Sequence, residues 1–352
     1  MKSINTQKNC DKELFIINNN IATFAKTKIL FIFLIIFGFF QKGIAADFIE
    51  TVYKTGIMNK TVFNYSISPE GTKILFNTDQ IVDGLQLLDL KSGKISKIQE
   101  EKGRSWTQPN WSRDGTKVVA ISIVMRNNGY MDGFMIDEQD VIILDTKDWS
   151  YRYLNIPQGV NRAPIFSTDG KMLYYFRGIP RKSGKTPASK FDLYSYDLIA
   201  NKETKLTNYE MYQTHRIYDD GDEILFSAYG SKSLPTFKPK GSMFDQTSLY
   251  AVNKSTLKLR MLSFDQSSGF FEIYFDGKDM DGNIYFRTNR EGKGGRFIFF
   301  IYRCDSSGNN CENIRSRSMQ NFARIPFNKK EIFISDTIEN EIVFRKLVEI
   351  GD

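Results

Sequence analysis

The chain has one histidine, His215, two cysteines in its last third, Cys304 and Cys311, and three separate stretches dense in lysine and arginine. Each suits a different chemistry. An imidazole followed by Arg216, with Arg162 in the preceding repeat, suits a ligand contact at the mouth of a channel; it suits equally a bond to a neighbouring backbone carbonyl. The cysteines are spaced C-x6-C around Asp305–Asn310. In an oxidising compartment such a pair across a turn reads as a disulfide, the alternative being two buried free thiols. Zinc would need further ligands, and a single histidine does not supply them.

The basic stretches carry Arg181, Lys182, Lys185 and Lys190, then Lys232, Lys238 and Lys240 around Phe237, then Arg290, Lys293 and Arg296. Brought together they would form a basic rim that attracts an acidic protein face or a polyanionic envelope polymer. As separate solvated loops they would only confer solubility. A fourth stretch, residues 127–140, contains Asp132, Asp137, Glu138 and Asp140, but its spacing fits no EF-hand. Its Tyr130, Phe134 and Met135 suit an apolar contact instead. No G-x-S-x-G nucleophile elbow occurs, and isolated Asp and Glu at turn positions read as turn formers rather than acid–base pairs. No catalytic residue, metal or cofactor is expected.

Short runs rich in β-branched and aromatic residues alternate with Gly, Asn, Asp and Ser clusters after residue 46, with no sustained helical period. The clusters repeat. Ser68-Pro-Glu-Gly71 before Thr-Lys-Ile-Leu-Phe76 is echoed by Ser112-Arg-Asp-Gly115 and Ser167-Thr-Asp-Gly170, more weakly by Asp219-Asp-Gly221 and Asp281-Gly282, and faintly by Phe327-Asn328. The glycines are 44, 55, 51 and 61 residues apart. Ser or Asp starts a turn, Gly supplies the positive φ that closes it, and an apolar strand follows. A second hairpin follows in each repeat, at Asp89, Asp145, Asp197, Asn253 and Asp305. Four strands per repeat predict an all-β, six-bladed β-propeller of four-stranded blades over residues 46–352. The last repeat is short, and residues 47–54 are placed to complete it and close the ring. His215 lies six residues before Gly221, where two other repeats have Pro109 and Pro164, so it belongs on an innermost strand near the channel.

The S-x-D-G-x-x-hydrophobic repeat, preceded by Pro109-Asn-Trp111 in one copy and Ala163-Pro-Ile-Phe166 in another, resembles the TolB-like propeller family. The resemblance spans residues 62–336 and implies a six-bladed propeller that acts as a protein-binding module of the cell envelope. It differs from TolB in having no α/β domain between residue 46 and the first repeat. Some TolB-like propellers are lyases that hold a metal with several histidines, whereas this chain has one. A carbohydrate-binding or lyase-type propeller using the channel around Arg162, His215 and Arg216 is the alternative.

Ile29–Phe40 is an unbroken apolar run after Lys26 and Lys28 and before Gly43-Ile-Ala-Ala46. Too short to span a bilayer comfortably, it suits a signal peptide over residues 1–45; left uncleaved, it would anchor the protein to the membrane. The six lysines and two acids of that leader account for four of the seven net positive charges. What remains does not favour nucleic acid as a partner. The expectation is therefore a periplasmic or secreted, monomeric, non-enzymatic propeller that binds a macromolecular partner, most simply a protein.

Overall fold

The structure, a computed structural model, describes residues 48–124, 139–157, 159–179, 189–230, 233–235, 247–262, 273–291, 297–318, 323–326 and 330–350. The leader and most of the basic stretches lie outside these residues. The described chain forms six four-stranded antiparallel sheets, the blades of a propeller. The innermost strands of blades one to six are Val62–Ile67, Arg104–Trp111, Val160–Phe166, Gln213–Asp220, Tyr274–Lys278 and Ala323–Arg324. They neighbour one another around the central axis. Within a blade each strand pairs with the next in sequence, moving outward. Blade six draws its outermost strand from the other end of the chain: Phe48–Met58 pairs with Glu341–Glu349, with Phe48 opposite Glu349 and Lys54 opposite Val343.

The repeat motif builds the same turn each time. The Gly71, Gly115 and Gly170 amides donate to the carbonyls of Ser68, Ser112 and Ser167, and each glycine has φ near +70° (74°, 72° and 71°). The serine hydroxyl reaches farther than a simple two-residue turn requires, accepting the Lys73, Lys117 and Met172 amides five residues on. In blades two and three the aspartate takes the amide two residues on, at Thr116 and Lys171. Blade five uses Asp279 in place of serine, accepting from Asp281 and Asn283. The second hairpins also begin alike: Asp89, Asp145, Asp197, Asn253 and Asp305 each accept backbone amides two or three residues on. Cys304 and Cys311 form a disulfide across the blade-five hairpin.

Both faces of every blade are packed, so consecutive residues of a second strand are both buried and point into different interfaces. Ile74 and Phe76 pack with Phe333 and Phe344 of blade six, whereas Leu75 packs with Trp106 and Val118 of blade two. Leu173 and Tyr175 face blade two, while Tyr174 and Phe176 face Ile217 and Phe226 of blade four. The remaining clusters join blades four to five and five to six. This explains the continuous apolar runs after each turn motif. Buried polar groups lace the same interfaces. Asn77 donates to the Trp106 carbonyl at 2.6 Å, Gln139 accepts the Asn161 amide at 2.7 Å, Ser227 accepts the Phe275 amide at 3.1 Å, and the Tyr65 hydroxyl donates to the Phe333 carbonyl at 2.9 Å.

Candidate functional site

The innermost strands of blades one to five each carry a register shift partway along: at Val62/Asn64, Thr107/Asn110, Arg162/Ile165, Thr214/Ile217 and Phe275/Gly277. Gln108 and Ala163 sit there with φ of 52° and 50°. Such bulges turn a strand and re-aim its side chains, and here the residues beside them line one cavity of about 280 Å³ on the axis. Blade one supplies Asn64 and Tyr65, blade two Gln108 to Asn110, blade three Arg162 and Ala163, blade four Gln213 to Arg216, blade five Phe275 and Arg287, and blade six Arg324. The bulges are tied to one another, since Gln108 accepts the Ala163 amide at 2.6 Å and Asn110 donates to the Pro164 carbonyl at 2.9 Å.

Four guanidinium groups therefore converge on the cavity. Beneath them is Asp276, whose side chain is fully buried. Arg287 bonds both of its carboxylate oxygens at 2.9 and 3.2 Å, Arg324 reaches one at 3.4 Å, and Arg216 donates to its backbone carbonyl. Burial raises the Asp276 carboxyl, and the three arginines pull the other way. Arg216 is lowered to about 9, first by burial and then by Arg324, and still carries its charge at neutral pH. Arg162 lies over the Phe191 ring, 4.3 Å from its centroid, and is lowered by burial. Arg324 covers Tyr65, and Arg287 lies over Tyr274.

His215 packs edge-on against Tyr274, with centroids 4.7 Å apart. Its Nε2 is buried without a hydrogen-bond partner, so this nitrogen does not make the carbonyl bond that a purely structural role would supply. Burial, then Arg287 and Arg162, bring its pKa down to about 3, leaving a neutral imidazole. Thr214, only 7% exposed, also lines the cavity with an unpartnered Oγ1. A second, smaller cavity lies at the end of the axis formed by the serine–glycine turns and shares Asn110, Arg216 and Arg324 with the first.

Arg162, His215 and Arg216, picked out in the sequence, thus line one cavity. Sequence reasoning missed Arg287, Arg324, Thr214 and Asp276. Of the basic stretches, Arg181, Lys182, Lys185, Lys232, Lys238, Lys240, Lys293 and Arg296 lie outside the described residues, as does the side chain of Arg290. Lys190 pairs with Glu210 at 3.0 Å. Gly178 pairs with Val160 and Tyr229 with Gln213, so the second strands of blades three and four end where the first begin, at the arginine-lined end of the axis. In the acidic stretch, Asp140 pairs with Arg104, and the remainder before residue 139 is outside the described residues.

No family model matches the chain, and no curated protein does. Solved structures do. A putative TolB from Agrobacterium tumefaciens shares 13% identity over 86% of this chain and 100% of its own, with a TM-score of 0.53. The fold is that of the TolB-like six-bladed propellers. TolB from Acinetobacter baumannii matches at 14% identity and a TM-score of 0.50, over 82% of this chain and 65% of that one. An oligogalacturonate lyase in complex with manganese matches at 12% identity and 0.51, over 88% of this chain and 97% of that one. Against a divalent cation, the described lining offers one imidazole and the amides of Asn64, Gln108, Asn110 and Gln213 but no carboxylate, all beside four guanidinium groups, and Asp276 below it is already engaged by arginines. That donor set does not fit a cation.

Proposed function

We propose that the protein is an exported, non-enzymatic propeller that binds a macromolecular partner, most simply a protein, at the arginine-lined end of its axis. The observation that carries this reading is the convergence of Arg162, Arg216, Arg287 and Arg324 on one cavity over a single buried carboxylate. Positive charge held in a low-dielectric concavity attracts and orients an anionic group. The described second strands of blades three and four, which precede two of the three basic stretches in sequence, end at the same end of the axis. The Cys304–Cys311 disulfide supports an oxidising compartment.

The test is affinity capture from an envelope extract at low and high salt, with the native protein beside an Arg162→Glu variant. Arg162 is chosen because it lies over the Phe191 ring, whereas the Asp276 network is made by Arg287, Arg324 and Arg216. A partner held by the native protein at low salt and lost with the variant is expected. The same partner held equally by both would sink the reading. In the alternative, lyase-type reading, oligouronates plus manganese would yield an unsaturated, ultraviolet-absorbing product; none is expected.

A further inference from the structure

The four arginines of the cavity are not equivalent. Arg287 and Arg324 share the Asp276 carboxylate, and Arg216 is held to the backbone carbonyl of the same residue. Among the described residues Arg162 is held by a ring rather than by a carboxylate; set over Phe191, its planar fork is oriented in advance. On the neighbouring blade, Thr214 Oγ1 and His215 Nε2 are buried, unpartnered polar atoms of residues lining the same cavity. Both atoms therefore keep their bonding capacity for whatever enters the cavity. Arg162, Thr214 and His215 line one cavity, so the unpartnered atoms share it with the arginine that meets a ring and no carboxylate among the described residues.

From these observations we infer that the cavity is a subsite for one acidic residue of an extended peptide, its carboxylate on Arg162 and its adjoining peptide group on Thr214 and His215. This inference rests on the partner-binding reading above and specifies what enters the cavity. A planar carboxylate matches a guanidinium fork through two parallel bonds. A neutral imidazole and a hydroxyl can each donate or accept, as an amide's paired N–H and C=O require. The cavity, about 280 Å³, is at the small end of the range for ligand pockets and suits a single residue. The aromatic rings argue against a sugar. Of the two phenyl rings in the described lining, Tyr65 has the Arg324 guanidinium over it and Phe275 is buried edge-on against Tyr218, so neither is offered to a pyranose.

The experiment is titration calorimetry on the full protein, backed by the arginine Nε–H signals in nitrogen-15 spectra. Its probes are acetyl-Gly-Glu-Gly-amide, its Gln counterpart, inorganic phosphate and galacturonate. The Glu peptide should bind saturably and more tightly than the other three. Arg162→Ala should weaken it about tenfold or more, the loss of a charge-assisted pair. Arg162→Lys should recover only part of that, and Thr214→Val should weaken Glu and Gln peptides alike. Absent binding, equal binding of the Gln peptide, tighter binding of phosphate or galacturonate, or an unchanged Arg162→Ala variant would each overturn the subsite. Should macromolecular capture still depend on Arg162 while the tripeptide does not bind, the subsite fails and the broader reading stands. Capture indifferent to Arg162 removes both.

Discussion

Asp276 holds the base of the cavity together, because it is the carboxylate that Arg287 and Arg324 share inside the channel. Asp276→Asn would leave buried guanidinium groups without their counter-charge. It should cost about 3–5 kcal/mol in a urea titration, the loss typical of a broken buried pair. His215 makes a pH prediction whose sign follows from its lowered pKa. In the unfolded chain it takes a proton near the ordinary histidine value; in the native state it resists until about pH 3. Between those values the unfolded state binds more protons, so this residue subtracts stability progressively as pH falls. His215→Gln should flatten that part of the stability profile, read as urea midpoints from neutral pH down to about 4. A variant as acid-sensitive as the native protein would contradict the assignment. Arg162, His215 and Arg216 were legible because they precede recognisable turn motifs. Asp276 carries the same mark, lying six residues before Gly282 as His215 lies before Gly221, and was passed over; Arg324 was not legible, because its blade's motif has decayed to Phe327-Asn328 and no glycine fixes the spacing.

The blade interfaces depend on polar side chains that reach the next blade's backbone. Gln139→Leu keeps the volume but leaves the fully buried Asn161 amide without an acceptor, and should cost about 1–3 kcal/mol by denaturant titration. Gly178→Ala should also destabilise, since a Cβ there would stand 2.6 to 2.9 Å from atoms of the Phe191 ring. Packed as it is, that ring cannot easily give way, and its movement would also displace Arg162. The turn motif revealed the blades because its physics is local: the glycine φ and the serine and aspartate bonds recur within a few residues. The bulges that aim the inner strands into the channel left no comparable mark. At Gln108 and Ala163 ordinary residues adopt positive φ, a conformation imposed by the neighbouring blade rather than by residue type.

As a whole molecule, the propeller is held shut by Phe48–Met58, which pairs along Glu341–Glu349 and adds the Glu50–Arg345 ion pair. Deleting residues 48–58 would expose a long sheet edge on blade six. It should lower the melting temperature markedly and promote association, visible by calorimetry and light scattering. The closed ring is also what makes the site, since each blade contributes to the lining and no single blade carries the cavity. The central claim is that an anionic partner is recognised at that end of the axis. Its most direct test compares partner affinity of the native protein and Arg162→Glu at low and high salt. The account predicts binding by the native protein that weakens with salt, and at least tenfold weaker binding by a variant that remains as stably folded, the effect of reversing a contact charge. Equal affinity of the two proteins, insensitive to salt, would contradict it.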